Sequence, residues 1–378
     1  MIMSLRVRGF VKNGARYCAR IGLIFMMNTS NWSIDCNFLT GFNTNAIITI
    51  KRCVMIFRKP DHSETQEDAQ ITEIIKSAKY FAQKIAPDNW KENVEKIYNE
   101  LTVVLCDGNR TFKALQDGKL KDIKFSAAAV KFWENIDTNE YTTSQGIAIL
   151  PKASPHVITH ESLHAFSSDA GKTDDGGGYI KVGSKYAEFD REGSIVKRTN
   201  DDLNETITDA LTSRALGRIG PNAGASYASQ VIMADLLMGE KLEDNAFIQD
   251  VYFGKSEKFA EDFDKTIKAS KVKFADYLQG FKILGSEEDN KKSDKLLKGA
   301  VEYNLRKAKT AEEIDHIYAF QQKIINFYKD GGITTNFMED EDISRMENLL
   351  KFADKMQKQC KSNLVAQQMI EKQFVNED

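Results

Sequence analysis

Two histidines one helical turn apart constrain this chain more than any other feature. Residues 160–164 read His160-Glu161-Ser162-Leu163-His164, the H-E-x-x-H pattern. On a helix, positions i and i+4 share one face, so both imidazoles can reach a single tetrahedral Zn²⁺ at about 2.0–2.1 Å. The segment is therefore expected to be helical, with a face left open to a small cation. Ser154-Pro155 supply an N-cap and a first helical residue, and the helix is expected to run to about Ser168. Glu161 follows the first histidine directly. Its carboxylate points beside the ion, where it can take a proton from a metal-bound water.

The chain around this helix reads as α+β. Gly at 23 and Pro at 5 among 378 residues are lean for an all-β fold built on many tight turns. Ile71, Ile74, Ile75, Ala78 and Phe81 recur at helical spacing between Thr65 and Lys84, and Asp88 opens a second helix carrying Trp90, Val94, Ile97 and Leu101. Thr102–Leu105 is β-branched and short. Phe125–Phe132 and Gly146–Leu150 read as an antiparallel pair, with Asp137-Thr138-Asn139 between them. Gly171–Gly178 reads as a flexible loop, and Tyr179–Val196 as two strands turning at Arg191-Glu192-Gly193-Ser194. Asp201-Asp202 start a helix with Ile207, Leu211 and Leu216 as its apolar face, ending near Gly217 to Pro221. From Tyr227 onward nearly everything reads as helix. Thr310 and Glu313 form a capping box, Gly331-Gly332 close that helix, and Ile343, Met346, Leu350, Ala353 and Met356 mark the last amphipathic run.

Charge divides the chain unevenly. Residues 1–60 hold nine basic residues against Asp35 alone, leaving 43 basic and 54 acidic residues for the rest. An acidic body gives no basic face for nucleic acid. No apolar run approaches the roughly 18 residues of a transmembrane helix. Five cysteines, odd in number and never in a C-x-x-C pair, fit free thiols in a reducing, cytoplasmic compartment. Residues 1–54 are basic and read as a targeting-like segment or a misassigned start upstream of Met55; a signal there would mean export. The remainder divides into a helical region over 55–124, a core over 125–285 and a helical extension over 286–378.

Residues 204–209 read Asn204-Glu205-Thr206-Ile207-Thr208-Asp209, an N-E-x-x-[ST]-D pattern at the start of the downstream helix. With both patterns present, the sequence resembles the thermolysin-like gluzincin metallopeptidases over about residues 125–255. The resemblance implies a zincin-like core with a small antiparallel sheet, and one Zn²⁺ per chain held by His160, His164 and Glu205. It further implies that Glu161 is the catalytic base, that Asp209 orients His160 from behind, and that a peptide or protein is the substrate. An edge strand in such enzymes pairs with extended substrate, and Gly146–Leu150 is the candidate here. Tyr227–Gly239 and Ala246–Phe263 match the helical part that closes the other side of the cleft. The stretch between His164 and Glu205 is longer than in thermolysin and lacks a calcium-loop series, so the shared unit is the minimal core.

The remaining candidates stay open. Tyr179, Tyr186 and Tyr227 compete as oxyanion partners, with His316 the only later histidine. His156, one turn before His160 on the same face, reads as a capping or solvent-facing residue with substrate contact as the alternative, and His316 as a partly buried helical one. A rival reading keeps the ligands without hydrolysis, as a zinc-binding helical interaction or effector protein. Peptide cleavage separates the two.

Overall fold

The computed structural model describes residues 2–10, 16–24, 66–105, 111–116, 119–124, 128–135, 140–149, 153–191, 194–198, 201–218, 228–278, 287–330 and 340–375. The chain divides into two compact units, Met1–Ile56 and Phe57–Asp378. The described part of the first is an antiparallel hairpin of β1 (Ile2–Phe10) and β2 (Arg16–Ile24), registered Ile2 to Ile24.

The second unit is mostly helical with small sheets, the α+β class expected. Helices α1 (Gln66–Ile85) and α2 (Asp88–Glu100) bury the stripe Ile71, Ile75, Ala78, Ala82, Val94 and Ile97. Both pack on α3 (Pro155–Phe166), the helix carrying the first motif. Trp90 Nε1 donates to Phe166 O at 3.1 Å and Asn93 Nδ2 to Ser168 O at 3.4 Å, tying α2 to the end of α3. Ser154 caps α3 by accepting from Val157 N at 3.3 Å, and Pro155 costs nothing at the first position because its missing N–H has no intrahelical partner. Ile158, Leu163, Ala165 and Phe166 are buried, whereas His156, His160 and Glu161 keep partial exposure. The helix therefore leaves one polar strip uncovered.

Strand β3 (Thr102–Leu105) leads to a hairpin, β4 (Thr111–Gln116) with β5 (Lys119–Lys124), and then to β6 (Ala128–Asn135) and β7 (Glu140–Ile149). The expected antiparallel pair is present, with Ala128 opposite Ile149. The expectation of an edge strand at Gly146–Leu150 is not met. Gly146–Ile149 also pairs in parallel with Thr102–Leu105, so β7 is central in the order β3-β7-β6 and its ladder groups are taken on both sides. The edges of this sheet, among the described residues, are β3 and β6.

Between α3 and the second motif lies a four-stranded antiparallel meander: β8 (Ser168–Lys172), β9 (Gly178–Val182), β10 (Lys185–Phe189) and β11 (Ile195–Arg198). The loop read over Gly171–Gly178 is present at Thr173–Gly177, and its two ends are strand, Gly171 and Lys172 pairing with Tyr179 and Gly178. Asp190 N donates to Ser194 O at 2.9 Å where the turn at Arg191–Ser194 is expected, and Glu192 and Gly193 lie outside the described residues.

Helix α4 (Asp201–Ala215) carries the second motif and packs on α3. It buries Thr206, Thr208, Thr212 and Ser213 beside the expected Ile207 and Leu211. Bonds back along the helix, Thr208 Oγ1 to Asn204 O at 2.8 Å and Thr212 Oγ1 to Thr208 O at 2.7 Å, make those hydroxyls tolerable inside. Gly217, at φ +70°, closes it. Next come α5 (Ala228–Met238), a six-residue π-helix (Phe247–Tyr252), α6 (Glu257–Thr266) and α7 (Phe274–Leu278). The helix read over Ala246–Phe263 is therefore broken, since Asp250 turns back to accept from Phe259 N at 2.5 Å.

Helices α8 (Glu287–Lys307), α9 (Ala311–Lys329) and α10 (Asp340–Val375) complete the fold, with α8 and α9 packed on α5. The Thr310 cap forms, with Glu313 N to Thr310 Oγ1 at 3.1 Å and Lys309 N to Glu313 Oε2 at 2.7 Å. Buried Arg214, Asp235 and Tyr328 lock α4, α5 and α9 together, Arg214 Nη2 donating to Asp235 at 2.9 Å and Tyr328 Oη at 3.1 Å. Cys360 is a buried free thiol. No described helix is long and apolar enough to cross a membrane.

Candidate metal centre

Packing α3 against α4 brings three ligand-type atoms to one point. His164 Nε2 lies 3.0 Å from His160 Nε2, and Glu205 Oε2 lies 3.2 Å from the first histidine and 3.4 Å from the second. Four ligands at 2.0–2.1 Å in tetrahedral geometry are about 3.3 Å apart, so this triangle has the size a zinc ion demands. Its chemistry fits as well. Three lone-pair-bearing atoms converge, and only a cation or a shared proton between them makes that arrangement favourable. Burial favours the neutral carboxyl of Glu205, yet hydrogen bonds from His160 and His164 outweigh it and hold the group well below the usual carboxylate range. A ligand set of two histidines and one glutamate leaves a fourth position for water.

Behind each histidine stands a different support. His164 Nδ1 faces Asn204 Nδ2 and Thr208 Oγ1, both at 3.3 Å. Because the Thr208 hydroxyl already donates to Asn204 O, its oxygen can accept from a protonated Nδ1, which leaves Nε2 bare for a metal. Asn204 Nδ2 suits the opposite tautomer. A metal held on Nε2 would select the first. Asn204 is itself fixed by Ser184 N, which donates to Oδ1 at 3.0 Å, and the Tyr252 hydroxyl lies 3.0 Å from Thr208 Oγ1.

Asp209 differs from expectation. Its Oδ1 is 3.9 Å from His160 Nδ1, too long for a hydrogen bond, and 2.6 Å from His156 Nε2. His156, read as capping or solvent-facing, is instead 13% exposed, stacks near His160 at 6.3 Å between ring centroids, and shares the carboxylate that the resemblance gives to His160. Its Nδ1 is buried without a hydrogen-bond partner. His156, His160 and Asp209 thus form a second, overlapping group of ligand-type side chains.

Glu161 is half-buried on α3, and its charge reaches the Tyr252 phenol. Burial pushes that phenol far up; Ser167 and Thr208 pull it back, and the charges of Glu205 and Glu161 raise it again. Of the oxyanion candidates, Tyr179 donates to Asp169 Oδ2 at 2.9 Å and Tyr186 to Glu188 Oε2 at 3.5 Å, their rings stacked at 5.9 Å. Tyr227 lies outside the described residues. His316 is exposed and pairs with Glu240.

Asn204, Thr208, His156 and Tyr252 are the contacts that sequence reasoning left without a role. For the first two a signal existed. Spacing of i and i+4 puts Asn204 and Thr208 on one strip of α4, and Glu205 and Asp209 on the neighbouring one. Tyr252 gave none, since a π-helix lacks the 3.6-residue period.

No protein-family model, curated protein or solved structure matches the chain.

Proposed function

We propose that the protein is a zinc-dependent metallopeptidase. The single observation carrying this reading is the triangle of His160 Nε2, His164 Nε2 and Glu205 Oε2, with edges of 3.0–3.4 Å. The two sequence patterns support the same assignment, with peptide bonds as the substrate class. A zinc ion held by these three residues supplies Lewis acidity toward a carbonyl and toward bound water. Glu161, next to His160 and half-exposed, accepts the proton of the attacking water and returns it to the leaving nitrogen. Thr208 and Asn204 hold the His164 ring, and Asp209 stands behind His160.

A peptide-library cleavage assay on wild type and Glu161→Gln tests this. Glutamine keeps size and an acceptor oxygen but cannot take a proton at neutral pH. Turnover should fall by about 10⁴-fold or more, the upper end for general-base catalysis, because the same carboxylate serves both proton transfers. Zinc content and fold should persist. Wild-type turnover that survives in Glu161→Gln would remove this site from the chemistry.

A further inference from the structure

Lys181 on β9 is a buried cation that no ligand role uses. Its Nζ donates to two main-chain carbonyls, Gly183 O and Tyr252 O, each at 2.7 Å, and lies 5.1 Å from the centre of the Trp90 ring. These carbonyls belong to separate elements. Gly183 sits in the two-residue turn joining β9 to β10, and Tyr252 is the last residue of the π-helix. Each element supports one of the two groups at His164 Nδ1. From the turn, Ser184 N fixes Asn204 Oδ1 at 3.0 Å; from the π-helix, Tyr252 Oη meets Thr208 Oγ1 at 3.0 Å. Both chains of contact end on the same ring nitrogen, at 3.3 Å.

We infer that Lys181 is a positioning residue of the candidate metal centre, clamping the β9–β10 turn to the π-helix so that Asn204 and Thr208 stay registered on His164. An ammonium suits the role because it offers three donors from one point. Without it, two buried carbonyls lose their donor, and the turn and the π-helix lose their common anchor. The turn has little slack: Gly183 lies at φ +56°, and a Cβ there would collide with Asn204 Oδ1 and the Tyr252 ring. Burial pushes the Lys181 ammonium down to about 7 against the opposing pull of Asp169, a strain that the two carbonyls and the Trp90 face offset.

The inference rests on the metal-binding part of the proposed function and not on hydrolysis, so its test reads zinc affinity on the full chain. Lys181→Met keeps the unbranched shape of the side chain, one atom shorter, and removes the donors. Competition against a chromophoric chelator should show Kd for zinc raised about tenfold, the lower end of what loss of support behind a ligand produces. Thr208→Val should have a similar effect. The double variant should fall well short of the product of the two, because both act through the His164 ring. Circular dichroism checks that each variant folds. Lys181→Gln, which keeps two N–H donors on a shorter chain, should recover part of the affinity and carries the test if Lys181→Met does not fold. Wild-type affinity in Lys181→Met, or in Lys181→Gln where Lys181→Met does not fold, or effects that multiply fully with Thr208→Val, would overturn the inference while leaving the proposed metal site standing. A wild type without zinc affinity would overturn both.

Discussion

At the scale of single residues, the site is decided by which atom each histidine turns toward its neighbours. Asp209 has one oxygen contested by two imidazoles, 2.6 Å from His156 and 3.9 Å from His160. Removing the nearer competitor frees the carboxylate for the ligand, so His156→Leu should leave zinc affinity at or above the wild-type value. Asp209→Asn, which loses the charge behind His160, should weaken it about 10- to 100-fold. A loss in His156→Leu as large as that in Asp209→Asn would make His156 itself a ligand. Lys181 adds a pH signature. Its native pKa, pushed down to about 7, lies below the 10.5 of an unperturbed lysine, so the unfolded chain binds more protons between those values. Denaturant unfolding of wild type relative to Lys181→Met should therefore show stability rising from about pH 7 to 10. A flat difference over that range would mean the ammonium bears no burial penalty.

At the scale of elements, two helices and one turn bring together the residues of the candidate centre. Helix α3 follows from a capped start and a patterned run, and α4 presents its first two turns to it. The β9–β10 turn then closes against α4 through Gly183. Gly183→Ala forces an alanine to φ +56° and a Cβ onto Asn204 and Tyr252, so stability should drop by about 1–3 kcal/mol with weaker zinc binding. Unchanged melting and affinity would show that this turn does not support the site. Much of this level is legible in the sequence. The start of α3 and the strand Thr102–Leu105 follow from Ser154-Pro155 and from β-branching, because local chemistry sets them. The position of β7 does not. Whether Gly146–Ile149 lies at an edge depends on Thr102–Leu105 joining it in parallel, a long-range pairing that no local pattern encodes. For the same reason the strand pairing of Gly171 and Lys172 is not legible locally, this end of β8 being ordered by its partner β9. Pairing of His156 with Asp209 was equally hidden, because it arises only when α3 and α4 meet.

At the scale of the whole molecule, the Phe57–Asp378 unit builds one apolar core that includes α1, α3, α5 and the helices α8–α10. The proposed metal ligands come from α3 and α4 within it. A chain starting at Met55 should therefore retain the melting temperature and zinc content of the full chain. A large fall in either would show that residues 1–54 are part of what holds the centre together. The central claim is that three side chains from two helices hold one zinc ion, and the most direct test is metal analysis of purified wild type beside His164→Ala. The account predicts about one zinc per chain in the wild type and little in the variant, since two remaining ligands cannot complete the site. Stoichiometric zinc in His164→Ala, or none in a folded wild type supplied with zinc, would contradict it.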